Sequence, residues 1–246
     1  MIQTTGLTRK FGDFVAVNNL NLHVPKGVIF GLLGPNGSGK STTVRMLTGI
    51  LKPTSGDALI DGSSILGSPL DIKRNIGVLP EDLVLFDSLT IWEHLKMVGP
   101  IYGLNRSETD ARGEQLLRYL DLWSGRHTFV EQSSFGMKKK CALAMALLHN
   151  PKVLFLDEPF EGIDPVASRS IKDLLILMSQ RGITILLTSH ILEVVERLVH
   201  SFAVIVRGEI ACSQTIQETL RAGQTLEDIY FQYVERRAVE EFEWIG

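Results

Sequence analysis

Long apolar runs are absent from this sequence. The most hydrophobic stretches, residues 183–187 and 202–206, are only as long as a β-strand, whereas a membrane-spanning helix needs about 20 apolar residues. Residues 1–8 lack the basic region followed by an apolar segment that marks a secretion signal. We therefore expect a cytoplasmic chain that reaches a membrane only through another protein.

The sequence also has only two cysteines and no excess of positive charge. Cys141 and Cys212 lie far apart without the spacing of metal ligands, so we expect two small, buried apolar residues in a reducing compartment. The formal net charge of −3 gives no sign of the basic face that nucleic-acid-binding proteins carry, and we expect no nucleic-acid partner. With 44% hydrophobic and 22% charged residues, the composition is that of a folded globular protein rather than a disordered chain.

The hydrophobic pattern predicts an α/β protein. Apolar and polar residues alternate over 15–24, which indicates half-buried antiparallel strands. The continuous apolar run 28–33 is typical of a strand buried on both faces. Strands and helices then alternate over 153–212, which favours a largely parallel sheet covered by helices. Between these parts, residues 83–131 are rich in helical periodicity.

Residues 34–41 match the pattern G-x-x-x-x-G-K-S/T, between the apolar run and a segment with helical periodicity. Glycines there allow successive backbone N–H groups to point at one anion at the start of a helix. Lys40 can then reach the β- and γ-phosphates of a nucleotide, and the Ser41 hydroxyl can bind Mg²⁺. A chance glycine-rich turn is the alternative, but the flanking elements favour a phosphate-binding loop. The predicted nucleotide contacts in this segment are Gly34, Pro35, Asn36, Gly37, Ser38, Gly39, Lys40, Ser41 and Thr42.

Two acidic residues, Asp157 and Glu158, follow the apolar stretch 153–156. Ligands of open α/β sheets bind beyond the carboxyl ends of the strands, which is where this strand would deliver both carboxylates. Asp157 can bind Mg²⁺ there, and Glu158 can act as the general base that polarises an attacking water. Alone, such a pair is more often a solvated turn. Downstream of a phosphate-binding loop, the catalytic interpretation is favoured.

The order of the motifs resembles that of the ATPase subunits of ABC transporters. After the phosphate-binding loop and a long helical segment come Ser134-Phe135-Gly136-Met137, Asp157-Glu158, Asp164 and His190. The resemblance extends over about residues 5–233. It implies ATP and Mg²⁺ as cofactors, ATP hydrolysis that involves Lys40, and an ATP-dependent homodimer that drives a separately encoded membrane permease.

The family motif Leu-Ser-Gly-Gly-Gln is matched here by Ser134 and Gly136, whereas Ser133, Phe135 and Met137 depart from it. In the family this segment presents a helix N-terminus to the γ-phosphate held by the opposing subunit. An ordinary helix cap is the alternative. We interpret Lys138 to Lys140, which follow, as a solvated face of the same helix.

The resemblance implies roles for four further residues. Phe11 corresponds to the aromatic residue that stacks on adenine, and Asp164 to the aspartate that links the two sites across the dimer. His190 corresponds to the histidine that contacts the γ-phosphate and orients water together with the glutamate. Glu81 stands where the family has a glutamine that senses Mg²⁺ and the transmembrane partner, so it joins Ser41 and Asp157 as a predicted Mg²⁺ ligand.

The predicted fold is a P-loop NTPase of the α/β class, with a mixed central sheet, an antiparallel β subdomain and a helical subdomain. We expect one domain over 1–246, made of an ATP-binding core (1–82 and 151–225), a helical subdomain that carries the signature (83–150) and a helical tail (226–246). The tail resembles that of subunits serving drug or lipid exporters, which favours export. Through its permease, we expect the chain to lie on the inner face of the cell membrane. Two alternatives stay open: an ABC-type ATPase acting on ribosomes or DNA, and a regulatory ATP-binding subunit with low turnover.

Overall fold

The computed structural model describes residues 1–67 and 69–234 of the chain. The strands are β1 (Ile2–Phe11), β2 (Phe14–Leu20), β3 (His23–Val24), β4 (Ile29–Leu33), β5 (Ser55–Ile60), β6 (Ser63–Ser64), β7 (Ile76–Leu79), β8 (Val153–Asp157), β9 (Thr184–Ser189), β10 (Ser201–Val206) and β11 (Glu209–Thr215). The α-helices are α1 (Lys40–Leu47), α2 (Pro69–Asn75), α3 (Ile91–Ile101), α4 (Arg106–Tyr119), α5 (Phe135–Leu147), α6 (Pro165–Gln180), α7 (Leu192–Glu196), α8 (Ile216–Arg221) and α9 (Leu226–Tyr233). A short 3₁₀ turn, Val130–Gln132, precedes α5.

A six-stranded sheet in the order β11-β10-β4-β9-β8-β7 forms the centre of the molecule. Its strands are parallel except for β11, which is antiparallel to β10. Every residue of β4, β8 and β9 is buried, as a continuous apolar run predicts for strands covered on both faces. The register pairs Leu33 with Ser189 and Asp157 with Thr188. The segments that follow β4, β8 and β9 therefore leave the sheet at the same edge.

The second sheet is antiparallel, in the order β2-β1-β5-β6, with β3 also paired to β1. The alternation over residues 15–24 predicted β2 and β3, but β1 was missed. Its buried positions include Thr4 and Thr8, so polar residues interrupt the apolar pattern. The Thr4 hydroxyl donates to the Leu20 carbonyl at 2.8 Å and accepts from the Leu22 amide at 2.7 Å. These bonds satisfy a polar side chain inside the core.

Helices α3, α4 and α5 pack together between β7 and β8 in the chain, around Leu95, Leu117 and Cys141. Residues 105–108 resemble a capping start in sequence, and helix α4 does begin with a reciprocal capping box formed by Asn105 and Glu108. Cys141 is buried as expected, and burial raises the pKa of its thiol to about 12. Cys212, also expected to be buried, is only partly so.

Three elements differ in extent from what the hydrophobic periodicity predicts. The spacing of Val44, Leu47 and Leu51 predicts one helical face, but α1 ends at Leu47 and Leu51 lies beyond it. A helix is expected over 190–199, but α7 covers only Leu192–Glu196. The apolar face predicted for the last helix is Leu226, Ile229, Tyr230 and Tyr233; in α9 the first three are buried, whereas Tyr233 is 43% exposed. Residues 235–246 of the predicted tail lie outside the described residues. Within the described ranges, each helix is too short or too polar to cross a bilayer.

Candidate active site

The loop between β4 and α1 has the backbone of an anion-binding nest. Gly37 and Gly39 have φ angles of 77° and 107°, in the region where only glycine is unstrained. A Cβ at Gly34 would lie 2.2 Å from the Ile205 carbonyl oxygen, so this position also requires glycine for close packing. The buried Ser38 Oγ has no hydrogen-bond partner among the described residues, which leaves a polar atom in the loop free for a ligand or water.

Lys40 opens α1 and is buried beneath this loop. Its Nζ donates to the carbonyl oxygens of Gly34 at 2.8 Å and Pro35 at 3.1 Å. Burial lowers the pKa of the ammonium, while the carboxylates of Glu158 and, next in effect, Asp157 act in the opposite direction. The ammonium therefore lies between the loop that would hold phosphates and the acidic pair at the end of β8.

A cleft of about 470 Å³ opens beside the loop. Its lining residues are Phe11, Phe14, Ala16, Asn36, Gly37, Gly39, Lys40, Ser41, Thr42, Glu81 and Glu158. Pro35 and Ser38 line a second cavity at the same loop. The cleft thus gathers the predicted aromatic, basic and acidic residues into one volume of the size that small-molecule sites have.

Two exposed aromatic side chains form one wall of the cleft. Phe11 and Phe14 are 47% and 63% exposed and face each other across the tight turn that joins β1 to β2. The Arg9 guanidinium carbon lies 4.5 Å from the centre of the Phe11 ring. Phe14 was missed, although a second aromatic three residues after Phe11, across a glycine turn, is a readable hairpin signal.

The predicted Mg²⁺ ligands converge at the start of α1. The Ser41 hydroxyl lies 3.1 Å from Glu81 Oε2 and also within hydrogen-bond reach of Asp157, so its single proton can serve either carboxylate. Burial raises the pKa of Asp157, although its hydrogen bonds to Thr188 and Ser41 favour the carboxylate. Two carboxylates and a hydroxyl are hard oxygen donors, so this set fits a Mg²⁺ ion that keeps some of its waters and binds a phosphate oxygen.

Glu158 and His190 form a pair at the same edge of the sheet. His190 Nδ1 lies 3.0 Å from Glu158 Oε2, with the carboxylate buried and the imidazole half-exposed. Glu158 has a φ of 49°, an uncommon conformation for a residue with a side chain and one often found at functional sites.

Thr188 supports both acidic residues and was missed as a functional position. Its hydroxyl accepts a hydrogen bond from the Glu158 amide at 3.0 Å and donates to Asp157 Oδ1. Its place at the end of an apolar strand, two residues before His190, was the available signal. Only the pairing of β8 with β9 shows which carboxylates it reaches.

Ser134, Gly136 and Asp164 are not among the residues that line this cleft. Ser134 caps α5, with its Oγ accepting from the Met137 amide at 3.2 Å. Asp164 caps α6 by accepting from the amides of Val166 and Ala167 at 3.0 and 2.9 Å. The hydrogen bond from Ala167 is the main cause of its lowered pKa.

One prediction for α5 was wrong. Lys139, interpreted with its neighbours as part of a solvated face, is only 1% exposed. Its Nζ donates to the carbonyl oxygens of Glu158 and Glu161, the latter at 2.8 Å. Lys138 and Lys140 are half-buried. A run of lysines gives no signal of such burial, because the acceptors lie about twenty residues further along the chain.

Comparison with known proteins identifies the family. The ABC transporter family matches residues 17–161. The bacitracin transport ATP-binding protein BcrA of Bacillus licheniformis is 35% identical over 238 residues, which cover 96% of this chain and 72% of BcrA. The ABC transporter ATP-binding protein YbhF of Escherichia coli is 35% identical over 215 residues, or 87% of this chain. The chain spans 37% of the length of YbhF.

Solved structures agree with this family. An ATP-binding subunit of an ABC transporter matches with a TM-score of 0.88 at 30% identity and covers 94% of this chain and 98% of its own. A dimeric ATP-binding cassette in a post-hydrolysis state, with ADP and Pi bound, matches with a TM-score of 0.82 at 25% identity. That match covers 88% of this chain and 99% of the cassette. The predicted P-loop fold is confirmed, and this chain belongs to the ABC transporter family, among its ATP-binding subunits.

Proposed function

We propose that this chain hydrolyses ATP to ADP and phosphate as the motor subunit of an ABC exporter. The observation that carries the proposal is the convergence of Lys40, Asp157, Glu158 and His190 on one sheet edge beside the phosphate-binding loop. The name of BcrA, a bacitracin transport protein, supports a transport role and favours export of a drug-like compound.

Binding of ATP uses the loop, Lys40 and the aromatic wall. The backbone N–H groups of residues 34–42 cradle the phosphates, and Lys40 exchanges its bonds to the loop carbonyls for phosphate oxygens. Phe11 offers a face on which adenine stacks, with Phe14 beside it. Ser41, Asp157 and Glu81 would hold Mg²⁺, which would supply charge neutralisation at the phosphates.

Hydrolysis requires a water placed in line with the γ-phosphate. Glu158 accepts the proton of that water as general base, and its buried position at the cleft edge keeps the carboxylate close to the phosphate-binding loop. His190, 3.0 Å from the same carboxylate, orients the base and can donate to the γ-phosphate. Thr188 holds the Glu158 backbone in place, because its hydroxyl accepts a hydrogen bond from the Glu158 amide at 3.0 Å.

A second copy of the chain completes each site. Ser134, Gly136 and Asp164 lie outside the cleft of their own chain, and two of them begin helices. In a head-to-tail homodimer, the N-terminus of α5 would meet the γ-phosphate held by the opposing subunit, where its dipole favours an anion. The dimeric state of the related cassette with ADP and Pi supports this arrangement.

Different parts of the chain have different roles in this proposal. Residues 1–82 and 151–225 form the ATP-binding core, 83–150 form the helical subdomain, and 226–246 form the tail. The helical subdomain passes the closure of the dimer to a separately encoded permease, which holds the motor on the cytoplasmic face of the membrane. Glu81 lies where the core joins this subdomain.

Two substitutions test the motor activity. Lys40→Ala removes the charge that meets the phosphates, so we expect weakened ATP binding. Glu158→Gln keeps the shape of the side chain but removes the base, and general-base catalysis is worth about 10²–10⁴-fold in rate. Glu158→Gln should therefore bind Mg-ATP with little turnover, measured by equilibrium binding and phosphate release. ATP turnover at the wild-type rate in Glu158→Gln would refute the assignment of Glu158 as general base. Absence of turnover in the wild-type chain with its permease would refute the proposed role as motor subunit.

A further inference from the structure

Lys139 is a buried cation whose contacts belong to the catalytic turn. It lies on α5, one helical turn after the cap Ser134, and its Nζ donates to the carbonyl oxygens of Glu158 and Glu161. The carboxylates of Glu161 and Glu158, in decreasing order of effect, also act on it, against the desolvation that lowers its pKa. An ammonium taken out of water is costly unless it is fully bonded, so these two carbonyls are strong anchors.

The two carbonyls close the turn that positions the general base. Glu158 has a φ of 49°, and the Glu161 amide donates to the Glu158 carbonyl at 3.3 Å. One ammonium therefore binds both ends of a four-residue turn whose first residue is in a strained conformation. Moving the ammonium would free this turn to relax and would displace the Glu158 carboxylate.

A second contact joins the same helix to the same loop. The Phe135 ring lies against Gly162, where an added Cβ would come within 2.5 Å of the ring. The Lys139 ammonium lies 5.4 Å from the centre of that ring, within cation–π range. The first turn of α5 is thus packed and bonded to the segment 158–162.

We propose that Lys139 is a positioning residue that couples the N-terminus of α5 to the turn carrying Glu158. The inference rests on the proposed function, in which Ser134 serves the ATP of the opposing subunit and Glu158 serves the ATP of its own. Because one cation fixes both, engagement of α5 by the neighbouring γ-phosphate sets the position of the general base in the same chain. Lys139 thereby links the two ATP sites of the dimer.

Three variants test this coupling. Lys139→Met removes the ammonium but keeps an unbranched apolar stem, Lys139→Arg keeps a cation with several donors, and Lys138→Met removes a neighbouring half-buried charge as the matched control. ATPase rates are measured against ATP concentration, and each rate is divided by the number of ATP molecules bound at saturation. This normalisation removes any loss that comes from misfolded protein.

We expect Lys139→Met to lower kcat about tenfold or more, with KM changed less than about threefold and a Hill coefficient near one. Lys139→Arg should recover at least part of the rate and of the cooperativity, while Lys138→Met should behave like the wild type. Equal normalised kcat and Hill coefficients for Lys139→Met and Lys138→Met would overturn the inference. A wild-type chain without turnover would instead show that the proposed function had failed.

Discussion

At the scale of single residues, Glu81 is the departure closest to the chemistry. Its Oε2 accepts from the Ser41 hydroxyl at 3.1 Å, a contact that a glutamine oxygen can also make. The extra charge attracts Mg²⁺ but repels the triphosphate, and at close range these effects partly cancel. We therefore expect Glu81→Gln to retain ATPase activity within about tenfold, or ~1.4 kcal/mol of barrier, in steady-state phosphate release.

The paired variant Glu81→Ala removes the oxygen that faces Ser41. With the permease reconstituted in vesicles, Glu81→Ala should lower transport more than it lowers ATP binding, because the metal ligand and the link to the helical subdomain are lost together. A Glu81→Gln protein as inactive as Glu158→Gln would place Glu81 in the catalytic machinery instead.

His149 gives the structure a sensitivity to acid. Its Nε2 donates to the Ile76 carbonyl at 2.9 Å, its ring stacks on Tyr102 with centroids 3.7 Å apart, and its buried Nδ1 has no partner among the described residues. Burial lowers the pKa of this imidazole, and the charge of Arg112 acts in the same direction. Protonation would place an unpaired N–H and a positive charge in the core.

The sign of the pH effect follows from that lowered pKa. Between the lowered pKa of the folded state and the ordinary histidine pKa of 6.5, the unfolded chain binds more protons, so stability falls as the pH falls through this window. The slope is at most ~1.4 kcal/mol per pH unit. Urea unfolding at about pH 7.5 and 5.5 should show a smaller loss in His149→Gln than in the wild type. Equal losses in both proteins would exclude His149 as the source.

At the scale of elements, the contact between α5 and the loop after β8 can be measured directly. Gly162 has a φ of 67°, and a Cβ there would strike the Phe135 ring. Gly162→Ala should lower the free energy of unfolding by ~1–2 kcal/mol from backbone strain alone, with the clash adding to this. In a double-mutant cycle measured by urea unfolding, Phe135→Ala should relieve the clash part. Strictly additive effects would show that the two residues do not interact.

The same elements show which features of the fold and the site can be predicted from the sequence. The apolar runs, the glycine loop and the acidic pair predicted β4, α1 and β8, because a buried parallel strand and a phosphate-binding turn leave local patterns. The bond of Thr188 to Asp157 depends on which strands pair, and the burial of Lys139 depends on how α5 packs on a distant turn. Neither has a local signal. Strand β1 was not predicted for a related reason. Its buried threonines interrupt the apolar pattern, and their hydrogen-bond partners cannot be read from the local sequence.

At the scale of the whole molecule, two copies of the chain should close on two ATP molecules. Because the Glu158→Gln protein should bind ATP without hydrolysing it, we expect light scattering to show a dimer with Mg-ATP and a monomer with ADP. Ser134→Asp in that background separates capping from phosphate recognition. Aspartate caps a helix as well as serine does and suits the helix dipole, so α5 should keep its N-terminus.

The added carboxylate would nevertheless face the γ-phosphate of the opposing subunit, and like charges at that range repel. We expect the Ser134→Asp, Glu158→Gln protein to bind ATP normally and to remain monomeric. Asn105→Asp is the matched control, because it makes the same change of charge at the cap of α4, away from the cleft. That control should dimerise, and its dimer should persist at the salt concentration used for both proteins. If Ser134→Asp dimerises as readily as the control, the N-terminus of α5 does not meet the neighbouring phosphate, and the composite site is wrong.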